Sequence, residues 1–171
     1  MPERALGASV EAHLLMEAGF EFMSRELPRH SVSVTGVVVR PGDGRVLIIK
    51  RMDDGRWVPP GGVLEIEETP EQCVVREVRE ETGIEVNPIR LVGVYKNMNL
   101  AVVSLAFLCE PTGGVPTPND ESRVVTWLTP AEAAKLCPEA RAIRIQDALS
   151  GRGPYVRAHD GTSLLPGGVS S

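Results

Sequence analysis

Aromatic residues make up only 4% of this 171-residue chain, so few side chains are available on which a flat ring could stack. Cysteine is scarce as well: Cys73, Cys109 and Cys137 are odd in number and never stand as Cys-x-x-Cys. That excludes a signalled disulfide framework or zinc ribbon and points to a reduced cytosol. His13, His30 and His159 share no metal-ligand spacing. No apolar run approaches the roughly 18–20 residues needed to span a bilayer, and the N-terminus lacks the basic-then-apolar layout of a signal peptide. A cytoplasmic protein is therefore expected. Positive charge is not in excess, with 18 Lys and Arg against 23 Asp and Glu and a net charge of −5, so neither a nucleic-acid duplex nor an anionic membrane is the expected partner. What remains is 42% hydrophobic and 24% charged, the composition of a globular domain of ordinary core size.

The informative stretch runs from Gly62 to Ile84. Thr69, Pro70 and Gln72 form a capping-box start with proline at the first helical position, and Gly83 supplies the left-handed stop. Within that helix Glu77, Glu80 and Glu81 stand at i, i+3 and i+4, which places three like charges on one face. Arg76, an i, i+4 partner of Glu80, offsets part of the repulsion. The surplus calls for a hard divalent cation with oxygen ligands, for which magnesium is the first choice and manganese the alternative.

Around this helix the pattern is that of a mixed α/β domain. Residues 1–30 are expected to carry an amphipathic helix from Ser9 to Leu27, with Leu14, Ala18 and Phe22 on one stripe, either packed on its own domain or forming part of a homodimer surface. From Ser31 to Ile49 the β-branched runs flank Pro41-Gly42-Asp43-Gly44 and predict a hairpin. Arg56 to Gly62 holds two prolines and two glycines and reads as a rigid loop. Strands are expected over Ile89–Tyr95, Leu100–Cys109 and Arg123–Leu128, with a Gly/Pro/Thr loop over Pro111–Asn119. Thr129-Pro130 opens a short helix to Leu136, and a second covers Glu139–Leu149. Residues 31–150 form the expected domain, an α/β sandwich, and 151–171 read as an irregular tail.

Gly62, Glu68 and Arg76-Glu77-Val78-Arg79-Glu80-Glu81-Thr82-Gly83-Ile84 together resemble the signature box of the Nudix hydrolases at every fixed position. Pro60-Gly61 and Glu65 look like the family's entry into the box, and Glu67 stands where many members carry glycine. The resemblance implies a Nudix-like α/β/α sandwich with a mixed central sheet. It implies a pyrophosphohydrolase in which water attacks a diphosphate linked to another moiety, with a small nucleoside diphosphate derivative as substrate: a nucleoside triphosphate, ADP-ribose or a nucleotide sugar. By the same resemblance Glu77, Glu80 and Glu81 are the metal-binding carboxylates and the backbone oxygen of Gly61 a further ligand. Glu77 or Glu80 is a candidate general base, and so are Asp120 and Glu121 from a later loop. Arg76 fits the orientation of a neighbouring carboxylate, and Glu68 a tie between loop and helix.

Trp57 and Tyr95 are the candidates for stacking on a base, and Arg51, Arg56 and Lys96 for meeting phosphate oxygens. Glu121 joins Trp57, Arg51 and Tyr95 as an expected substrate contact. Two alternatives stay open: a nucleotide-sensing module that has lost turnover, and a prenyl diphosphate isomerase. The intact set of glutamates argues against the first, and the lack of an obvious cysteine–acid pair against the second.

Overall fold

Alternation along the strands sorts side chains into two cores. In β2 (Val46–Arg51), Val46 and Ile48 face one apolar cluster while Leu47 faces another. The computed structural model describes residues 27–166. Its other elements are β1 (Ser31–Val38), β3 (Trp57–Val58), α1 (Pro70–Thr82), β4 (Ile84–Asn97), β5 (Val102–Gly114), β6 (Ser122–Leu128), α2 (Pro130–Leu136), α3 (Glu139–Leu149) and β7 (Tyr155–His159). The mixed four-stranded sheet has the order β1-β5-β4-β7, with β1 parallel to β5 and β7 parallel to β4; the antiparallel three-stranded sheet has the order β3-β2-β6. Cys73, Val74 and Val78 of α1 fill one core with Val34, Leu47 and Phe107, and Ala133 of α2, Cys137 at its C-cap and Ile145 and Ala148 of α3 fill the other with Val37, Ile48 and Val92. The result is the expected α/β/α sandwich.

The capping box of α1 is formed as its sequence predicts: Thr69 Oγ1 accepts from Gln72 N, the Gln72 side chain accepts from Thr69 N, and Gly83 ends the helix at φ 73°. Gly36 of β1 lets this helix approach closely. A methyl group there would lie 2.6 Å from Val78 Cγ2, and valine has little freedom to rotate away. Gly36→Ala is therefore expected to cost about 1–3 kcal/mol, read as a lower urea midpoint at unchanged slope.

Several sequence expectations are corrected. β1 and β2 do not pair as a hairpin ladder: they belong to different sheets, joined by the Val39–Val46 bridge next to the Arg40–Arg45 turn and packed through the same cores. The expected loop over Pro111–Asn119 begins late, because β5 continues to Gly114, paired with Ile84 at the start of β4. The tail is not irregular throughout. Tyr155–His159 forms β7, and Gly93 makes room for it, since a Cβ there would lie 2.4 Å from the Tyr155 carbonyl oxygen. Nearly all of the helix expected over Ser9–Leu27 lies outside the described residues.

Candidate active site

The segment Pro60–Leu64 runs beside β1, with Gly36 N bonded to Pro60 O and Val34 N to Gly62 O, both at 2.8 Å, and Leu64 N to Val32 O at 3.0 Å. These bonds turn Gly61 toward α1. Its N–H donates to Glu81 Oε2 at 2.7 Å, while its own carbonyl accepts no hydrogen bond among the described residues. Gly62 lies directly against the Glu77 carboxylate, where a Cβ would come within 2.4 Å of both oxygens. A side chain at 62 would have to push the Glu77 carboxylate aside, so glycine there keeps that carboxylate where it stands.

Glu81 is unusual among the helix carboxylates because it sits on the buried side of α1 with Val74 and Val78, only 5% exposed. Burial is the main cause that raises its pKa to about 7, with Glu77 and Glu121 pushing the same way against the Gly61 N–H and Arg51. Glu77 is raised too, again chiefly by burial. Glu80 is largely exposed. Arg76 knits the face together. Its Nη1 reaches Glu77 at 2.9 Å and Glu80 at 3.0 Å, while Nε and Nη2 fork onto Glu68 at 2.9 and 2.6 Å. Glu68 also accepts from Glu65 N at 2.9 Å, which fastens the loop to the helix, and the Arg76 bonds hold its carboxyl well below the usual range.

One cleft of about 650 Å³ is lined by Arg51, Gly61, Gly62, Arg76, Glu77, Glu80, Glu81, Asp120 and Glu121. Residues from the loop, the helix and the β5–β6 connection are thus brought together. Asn119 positions the last of these: its Nδ2 donates to Glu80 O at 2.6 Å, and its Oδ1 accepts from Glu121 N and Ser122 N, both at 2.9 Å. Asn119 went unnoticed in the sequence, where its only signal was an asparagine in a turn.

Four sequence candidates stand outside this cleft. Tyr95 is fully buried, its hydroxyl donating to Asp147 at 2.8 Å and its ring beneath Arg144, so it cannot stack on a substrate. Trp57 packs on the core with Lys50 over its ring at 5.6 Å and lines neither the cleft nor the neighbouring cavity. Lys96 lies within the paired strands, between Val103 and Ala158, and Arg56 lines the neighbouring cavity.

Among the described residues no three acidic, histidine or cysteine side chains converge on a point as they stand. Arg76 draws Glu77 and Glu80 to itself, and Glu81 is bonded to Gly61. The donor set nevertheless fits a divalent cation, because the buried Glu81 carboxylate, beside Glu77, has no salt-bridge partner among the described residues.

The family model of the NUDIX domain matches residues 30–146. The chain belongs to the Nudix family. Among similar Nudix relatives, a MutT-like protein of Streptomyces ambofaciens is 57% identical over 82% of this chain and 91% of its own length. An ADP-ribose pyrophosphatase of Methanocaldococcus jannaschii is 34% identical over 54% of this chain and 58% of its own length. The crystal structure of a Nudix hydrolase from Nitrosomonas europaea shares the fold at a TM-score of 0.67 and 20% identity, covering 78% of this chain and 82% of its own. The box at Gly62–Ile84 is the part of the Nudix domain that builds the carboxylate wall of the cleft.

Proposed function

We propose that this Nudix pyrophosphohydrolase is a magnesium-dependent enzyme that hydrolyses a phosphoanhydride bond in a nucleoside diphosphate linked to another moiety. The observation that carries the reading is the buried Glu81 carboxylate at the cleft wall beside Glu77, an arrangement that demands a cation. Glu81 and Glu77, with Glu80 and the Gly61 carbonyl, would hold it. When bound, the cation neutralises phosphoryl charge and lowers the pKa of water. Arg76 keeps Glu77 and Glu80 oriented, and Arg51 offers a forked donor to phosphate oxygens. Glu121 and Asp120, on the cleft wall held by Asn119, are our candidates to take a proton from attacking water, a role their position in the cleft supports.

The relatives named ADP-ribose pyrophosphatase and MutT-like protein support a nucleotide-linked substrate. The isomerase alternative finds little support in the thiols. All three are buried, with burial pushing Cys73 and Cys109 up to about 12 and Cys137 to about 11.

The test is product release from a panel of nucleoside triphosphates, ADP-ribose, nucleotide sugars and prenyl diphosphates, with magnesium, with manganese and with chelator. Turnover of a nucleotide class that stops on chelation is the expected result. Silence across the panel, with nucleotide binding intact, would make the protein a sensing module.

A further inference from the structure

Behind the Gly61–Val63 strip lies a second cavity, about 320 Å³, that shares Arg51, Gly61, Gly62 and Val63 with the carboxylate cleft. Its lining is basic and lacks any aromatic side chain: Arg51, Arg56 and Arg141 stand against the single carboxylate of Asp54. Asp54 is already engaged, 3.7 Å from both Arg51 and Arg56, and Arg51 also pairs with Asp53. Arg141 has no salt-bridge or side-chain hydrogen-bond partner among the described residues.

One turn along α3, Arg144 is 1% exposed and likewise lacks a carboxylate partner among the described residues. Its Nη1 donates to Thr35, whose backbone strand lines the cavity, and to Ser104 at 3.1 Å; its Nη2 faces His159 Nε2 at 3.4 Å. Its Nε has no hydrogen-bond partner among the described residues. The nearest acid, Asp147, is taken by Arg157 at 2.6 and 2.7 Å and by the Tyr95 hydroxyl. Burial, with repulsion from Arg51 and Arg56, disfavours the charge on Arg141, and burial, with repulsion from Arg141, disfavours that on Arg144. Arg144 is buried, Arg141 half-buried and Arg51 and Arg56 reach solvent, so the guanidinium charge without a carboxylate partner among the described residues lies at the Arg141–Arg144 end of the cavity, where it asks for an anion.

We propose that this cavity binds a phosphate group carried by the substrate beyond the hydrolysed diphosphate, with Arg141 as its principal contact and Arg144 supplying charge behind Thr35. The proposal rests on the hydrolase reading above for the word substrate. A nucleobase is disfavoured here, since the lining offers it no ring to stack on.

The experiment compares ADP-ribose with ADP-ribose bearing a phosphate monoester on either ribose. Wild-type kcat/KM is expected to be about tenfold or more higher for one phosphorylated form, through KM, because a charge-assisted contact is worth that much. Arg141→Met should bring the ratio near one, and Arg141→Lys should recover part of it; circular dichroism and melting in chloride report whether each variant folds. Equal wild-type kcat/KM for all three compounds, or a preference untouched in Arg141→Met, overturns the proposal. If none is hydrolysed, turnover of the wider nucleotide panel decides the hydrolase reading separately, and inorganic phosphate titrated calorimetrically against the metal-free protein decides the cavity. Binding weakened about tenfold in Arg141→Met supports the site, and identical titrations of the two proteins refute it.

Discussion

Glu81→Gln is expected to lower metal-dependent hydrolysis by roughly three orders of magnitude, since a cation at a phosphoryl group supplies several kcal/mol and each ~1.4 kcal/mol is tenfold. The substitution keeps the shape of the side chain and, through its amide oxygen, the bond from Gly61 N. It removes the one negative charge that, among the described residues, is buried without a salt-bridge partner. Activity and stability should consequently move in opposite directions, a signature that a merely structural role for Glu81 would not produce. The measurement is turnover of the panel's best substrate across a magnesium titration, alongside urea unfolding in chelator. Turnover within a few-fold of wild type at saturating magnesium would remove Glu81 from the ligand set. Loss of activity together with loss of metal-free stability would make it a packing residue.

Glu81 also marks how far a sequence can be read. The caps of α1, its three glutamates and the valines of the core side could all be placed from spacing. Which glutamate is buried was not read from the sequence, which put all three on one face, although Glu81 falls at i+3 from Val78 and i+7 from Val74, on the stripe those valines define. Tyr95 was misplaced for a traceable reason. Its strand is covered on one edge by β5 and on the other by β7, and β7 hides in a segment introduced by Gly151 to Pro154, where turn residues dominate. With that partner unseen, Tyr95 looked like an accessible strand end. Trp57 misled because β3 is only two residues long, too short for any periodicity to say which way a ring points. Arg144 lies on the Ala140–Ala148 stripe of α3, at i+4 from the first. A charged residue on a buried stripe is a signal that single-residue scanning for site chemistry passes over. Asn119 acts through backbone groups, and no side-chain pattern announces that.

The metal-free protein should lose stability as the solution is made more alkaline through neutrality, and Glu81 should be the cause. Its folded pKa of about 7 lies above the ordinary carboxyl value of 4.5. Below 4.5 the group is protonated whether folded or not, and it contributes no pH dependence. Between 4.5 and about 7 unfolding releases a proton, so the folded state is penalised progressively as pH rises; above 7 the penalty is complete. At ~1.4 kcal/mol per pH unit the full effect is roughly 3 kcal/mol, of the order of the total margin that keeps a small domain folded. Other groups titrate over the same range, so the informative quantity is the difference between wild type and Glu81→Gln. In chelator the two should be equally stable near pH 4.5, and wild type should fall behind by about that amount near pH 8. Magnesium should close the gap at pH 8 by stabilising wild type alone, because ligand binding to the folded state adds to its stability. Unfolding curves for the two proteins at five pH values, with and without magnesium, provide the check. Parallel pH profiles would mean that Glu81 is not held as an uncompensated carboxyl, and the cation demand argued for this site would lose its foundation.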